Sequence, residues 1–129
     1  MSNQEIYDAA LHLICEDSQA AGNDDYQLRA PYLISAICHR YATLDAVYRQ
    51  AHGLEEQKLL EINHYPLPTL FPLSDAFAPS VSMAVAGLLV IEENPKMSDQ
   101  LMNLADATIS EIRNSIPFKK EKIQTAYAL

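Results

Sequence analysis

The apolar positions of the chain fall into stretches of helical rhythm interrupted by one stretch that breaks it. Near the start, Ile6, Ala10, Leu13 and Ile14 recur mostly at spacings of three and four, while Glu5, Asp8, Glu16 and Asp17 occupy other positions. That pattern predicts an amphipathic helix over about 3–17. A polar connector, SQAAGNDDYQLRAP, follows, with Gly22 and Asn23 as stop signals and Pro31 suited to the first turn of the next helix. Ile34, Ile37, Tyr41, Leu44 and Tyr48 carry that second helix over about 31–51, and Gly53 is its natural C-terminal stop. The stretch LEEQKLLEIN after it has room for one or two further helical turns.

The rhythm breaks at HYPLPTLFPLSDAFAPSV, residues 64–81, which holds four of the seven prolines, Pro66, Pro68, Pro72 and Pro79. Each proline removes a backbone donor and pushes the residue before it toward extended geometry, so 64–73 should run as a non-helical segment, an extended arm or a short irregular hairpin. The arm is nonetheless apolar, with Tyr65, Leu67, Leu70, Phe71 and Leu73. Two uses fit such a segment. It can dock on another protein, or it can fold back as a lid over its own core.

Ser74 and Asp75 resemble helix-start residues, and the apolar face resumes with Phe77, Val81, Val85, Leu88 and Leu89, predicting a third helix over about 75–93 with Pro79 in its first turn. This helix is apolar on nearly all sides, which marks it as the central one. Gly87 in its middle costs about 1 kcal/mol relative to Ala, so a close helix crossing is expected there. A fourth helix over about 97–115 follows from Leu101, Leu104, Thr108, Ile112 and Ile116, starting at either Asn94 with Pro95 or Ser98 with Asp99, and Pro117 closes it. The fold class is therefore all-α, a small bundle of about four main helices in one domain, with a short tail over 117–129.

Composition agrees with this picture and narrows the function. Of 129 residues, 49% are hydrophobic and 20% charged, and three glycines are too few for a turn-rich β protein. The net charge of -8 argues against holding nucleic acid by neutralising its phosphates. Residues 1–61 carry ten Asp and Glu against four Lys and Arg, whereas the last eleven residues carry Lys119, Lys120 and Lys122 against Glu121 alone. An acidic body with a basic tail results. The N-terminal sequence lacks a basic region followed by a continuous apolar run, so no signal peptide is expected, and the longest apolar run, MAVAGLLVI, is about half of what a bilayer requires. Cys15 and Cys38 then read as reduced thiols of a bacterial or host cytosol.

Candidate chemistry is sparse. His12 and Cys15 lie one helical turn apart and Cys38 and His39 are adjacent, but neighbours on a helix diverge by roughly 100°, which makes a poor two-His, two-Cys zinc site. The paired-carboxylate spacing of metal-dependent nucleotide pyrophosphohydrolases occurs once, from Glu5 to Asp8. No phosphate-binding glycine loop, GxSxG or CxxC occurs, and the helix after Ser98 is too poor in cations to read DNA. No enzyme activity, metal or cofactor is expected.

The segment LPTLFPLSDAFAPSVSMAVAGLLVIEENPKMSDQLMNLADATISEIR, residues 67–113, resembles the head-tail connector (adaptor) proteins of tailed bacteriophages and prophages. It shares with them an apolar proline-rich arm, a helix of alanines and leucines, an acidic turn and a second amphipathic helix. The resemblance implies a virion assembly protein without enzymatic activity, one subunit of a ring that sits between portal and tail components and lets DNA pass. It further implies self-association with portal-like symmetry, contacts with portal and head-closure or tail proteins, and a place first in the host cytoplasm and then at the head-tail junction. Tyr65, Leu67, Leu70 and Phe71 in the arm and Lys119, Lys120 and Lys122 in the tail would form the partner interface. The alternative, from a different class, is a helical regulatory or interaction module of phage or bacterial origin.

Overall fold

The computed structural model describes residues 1–14, 24–59 and 61–117. Four helices make up most of them: α1 (Asn3–Leu13), α2 (Asp24–Ala51), α3 (Ala78–Leu89) and α4 (Pro95–Ser115), with one 3-10 turn at Asp75–Phe77 leading into α3. The all-α bundle expected from the apolar rhythm is the observed architecture. Its centre is α3, which packs against each of the other three helices and buries Val81, Ala84, Val85, Ala86 and Leu89 around its circumference. α2 runs antiparallel to α3, since the Arg29 guanidinium donates to the Leu89 carbonyl (3.0 Å) near one end and the Tyr48 ring meets Phe77 edge-on near the other.

Most boundaries follow local chemistry. Ser2 caps α1, its hydroxyl accepting from the Glu5 amide at 3.2 Å. Gly53, at φ +65°, ends α2; the Leu54 amide reaches back to the Arg49 carbonyl (2.8 Å) and the Gly53 amide to Gln50 (3.4 Å), the paired closure of a Schellman motif. Of the two possible starts for α4, the chain uses Asn94 and Pro95, with the Asn94 side chain accepting from the Met97 amide. α3 and α4 approach closely at Gly87, where a Cβ would lie 3.1 Å from Met102 Sδ and 3.3 Å from the Ser98 carbonyl.

Four expectations are corrected. α1 ends at Leu13 with Ile14 as its cap; residues 15–17 of the expected helix lie outside the described residues. α2 begins at Asp24, and Pro31 sits inside it rather than in its first turn. Tertiary contacts favour the longer helix: Tyr26 and Ala30 are buried, the Tyr26 hydroxyl bonds Glu93, and Arg29 reaches α3. The carbonyl that Pro31 leaves without a helical donor belongs to exposed Gln27, where water can serve it. The stretch after Gly53 forms no helical turn in its described part, because its groups bond α2 instead: Gln57 Nε2 donates to the Ala42 carbonyl (3.0 Å) and Arg49 Nη1 to the Glu55 carbonyl (3.0 Å). α3 stops at Leu89, and 90–93 form a turn.

Candidate functional site: the proline-rich lid and its exposed leucine

Along 65–73 Tyr65, Leu67, Phe71 and Leu73 are buried, whereas Pro66, Pro68, Thr69 and Leu70 face solvent and Pro72 is half-buried. A turn at 66–69, closed by the Thr69 amide donating to the Pro66 carbonyl (3.0 Å), interrupts the alternation; on either side of it every second side chain points inward, as in a chain lying on a surface. Prolines take the outward places, where a missing donor costs nothing, and apolar side chains take the inward ones. The segment is the lid on its own core. The expectation that Tyr65, Leu67, Leu70 and Phe71 together form a free docking arm is corrected accordingly. Three of the four are sealed inside, and Leu70 alone, at 79% exposure, stands out.

Backbone pairing explains why the lid is held down. The first amides of a helix have no partner within it, and in α1 two of them are served by the lid: Asn3 N–H donates to the Thr69 carbonyl (2.9 Å) and Gln4 N–H to the Leu67 carbonyl (2.7 Å). In return the Phe71 amide donates to the Met1 carbonyl (2.9 Å), giving a single antiparallel bridge between Ser2 and Leu70. The fully buried Asn3 adds its Nδ2 donor to Thr69 Oγ1 (3.0 Å), and the Tyr65 amide donates to the Pro31 carbonyl (3.0 Å) on α2.

The other end of the lid is fastened by Asp45. Its carboxylate is fully buried on α2, with Oδ1 accepting from the Ser74 amide (2.9 Å) and Oδ2 from Gln57 Nε2 (2.7 Å) and Arg49 Nε (2.9 Å). Arg49 then donates through Nη2 to the Pro72 carbonyl (3.1 Å). Burial by itself raises a carboxyl pKa, yet the hydrogen bonds from Ser74, Gln57 and Arg49 outweigh it and hold Asp45 below the usual carboxylate range. Sequence reasoning missed Asp45 and Asn3. A signal for Asp45 was present: it follows Tyr41 by four and precedes Tyr48 by three, so a charge sits in the buried register of α2.

Among the described residues, those weighed for zinc, His12, Cys38 and His39, form no group of ligands. Cys15 lies outside the described residues. Cys38 is buried, and burial, aided by the Asp45 charge, pushes its thiol up to about 12. His39 Nδ1 stands 2.7 Å from the Ser35 carbonyl; a carbonyl only accepts, so that nitrogen carries the proton. Ser35 in turn donates to the Ile62 carbonyl (2.7 Å), and this apparent Ser–His pair is therefore occupied in fastening 62–65 to α2. No group of three potential metal ligands occurs among the described residues, and no helix among them is long and apolar enough to cross a membrane. Of the Glu5–Asp8 pair, Asp8 accepts from Gln4 Nε2 (3.0 Å).

Two concavities flank the lid. Beside it lies a depression of about 740 Å³ bordered by Arg49, Glu55, Ile62, Pro68, Leu70 and Pro72. Between α1 and α3 runs an apolar groove of about 490 Å³. Lys119, Lys120 and Lys122 of the expected interface lie outside the described residues. No protein-family model matches the chain, and no curated protein or solved structure matches it either.

Proposed function

We propose that the protein is a non-enzymatic virion assembly subunit, a head-tail connector that joins copies of itself into a ring between portal and tail components. The observation that carries this reading is Leu70. It is a large apolar side chain at 79% exposure, on a segment pinned by hydrogen bonds on both sides, and it borders a depression of about 740 Å³. Rigidly presented apolar residues lose little entropy on docking, which favours them as contact points. The net charge of -8 suits a wall past which DNA moves without being held. Under this reading the subunit acts in the host cytoplasm during assembly and ends at the head-tail junction.

The test is co-expression with the portal protein encoded nearby, followed by light scattering and electron microscopy of the purified material. A ring of this protein seated on the portal is expected, and Leu70→Asp should abolish it. Absence of portal, capsid and tail genes from the neighbourhood would overturn the reading. A helical interaction module that captures one partner through Leu70 would instead form a stoichiometric complex without a ring.

A further inference from the structure

We propose that the groove between α1 and α3 is the docking site of the chain's own C-terminal segment, residues 118–129. The inference stands apart from the connector reading, because it concerns one chain and needs no portal.

The groove is built for an apolar occupant. Ile6, Ala9 and Leu13 form the α1 wall, Pro79 and Met83 the α3 wall, and Met1 adds a side chain to the lining. Met1 and Leu13 are exposed large apolar residues, at 47% and 41%. The path of the chain leads there. Gly87 on α3 faces Ser98 and Met102 on α4, so the two helices run antiparallel, and α4 ends on the side where α3 begins with Ala78 and Pro79, both of which line the groove. Twelve residues beyond Pro117 span up to about 40 Å when extended, whereas the eleven residues of α1 rise only about 16 Å. Reach is ample.

The charges are complementary as well. The segment reads FKKEKIQTAYAL, with Phe118, Ile123, Tyr127 and Leu129 among Lys119, Lys120 and Lys122 and a single acid, Glu121. Glu5 lines the groove, and Asp8 follows it by one helical turn. Apart from the amino group of Met1, α1 and α3 carry no lysine or arginine. His12 also lines the groove. An apolar segment flanked by lysines thus meets an apolar groove edged by carboxylates. A short tether gives the segment an effective concentration in the millimolar range, which favours its own groove over that of another copy.

The experiment is zero-length carbodiimide cross-linking of the full chain at low protein concentration, followed by peptide mapping of the species of monomer mass. Amide links from Lys119, Lys120 or Lys122 to Glu5 or Asp8 are expected. In the full-length variants Leu13→Lys and Ala9→Lys, each confirmed folded by circular dichroism, those links should disappear while links elsewhere persist. Tail links confined to carboxylates away from α1 would overturn the proposal, as would links that survive both substitutions. Tail-to-α1 links found only in covalent dimers would overturn it too, since the groove would then be filled by a second copy.

Discussion

Leu70 and Phe71 are neighbours in sequence and opposites in environment, at 79% and 7% exposure. A paired substitution therefore separates docking from folding. Phe71→Asp places a carboxylate among apolar side chains and should destabilise the domain by about 3 kcal/mol or more, read as a large fall in melting temperature. Leu70→Asp should shift stability by no more than about 0.5 kcal/mol while removing self-association or portal binding. A stable Leu70→Asp protein that still assembles would sink the role given to that side chain. Cys38 offers a second residue-level check. With its thiol pushed up to about 12 and no exposure to solvent, it should resist thiol reagents at pH 8 and become modified only as the domain unfolds. Peptide-resolved labelling along a urea titration reads this directly, and rapid labelling of Cys38 under native conditions would contradict it.

At the scale of elements, each helix boundary rests on a small set of bonds, and α3 owes its central place to small side chains. Gly87 lets α4 approach until a Cβ would meet Met102 and the Ser98 carbonyl. Gly87→Leu should accordingly cost about 1–3 kcal/mol by overpacking, even though leucine is the better helix former. Equilibrium denaturation would measure it, and an unchanged midpoint would mean that the crossing is looser than its distances imply. The lid is an element of another kind. It has no repeating ladder, and it is held by the free amides at the start of α1, the side chain of Asn3 and the Asp45–Arg49 cluster. On either side of the turn at 66–69, inward Tyr65 and Leu67 and inward Phe71 and Leu73 are each separated by a proline, a spacing visible in YPLPTLFPL.

For the molecule as a whole, Asp45 links the end of the lid, the stretch after Gly53 and α2 in one polar cluster, and this gives stability a pH dependence of known sign. Its carboxyl is held below the unfolded value of about 3.9. The stabilisation is therefore fully present above about pH 4 and is lost as pH falls through the folded pKa, because the unfolded chain then binds the proton more readily. Melting temperatures between pH 7 and pH 2 should fall steeply only at the acid end. Asp45→Asn should lower stability at neutral pH and flatten that acid slope. A wild-type slope retained in Asp45→Asn would assign the acid sensitivity to other carboxylates.

The helices, the order in which they occur, the centrality of α3 and the close crossing at Gly87 were legible in the sequence, because periodicity, capping and glycine chemistry act over a few residues. The use of 64–73 was not. An apolar proline-rich segment is equally consistent with an arm and a lid, and what decides between them is whether other parts of the chain offer partners for its carbonyls and amides. Those partners are Asn3, Gln4, Pro31 and Arg49, remote in sequence, and only the tertiary structure brings them to it. The same holds for α2, where Pro31 by itself argues for a helix start. The contacts of Tyr26 and Arg29 with the end of α3 and the turn after it, some 60 residues on, outweigh that local preference.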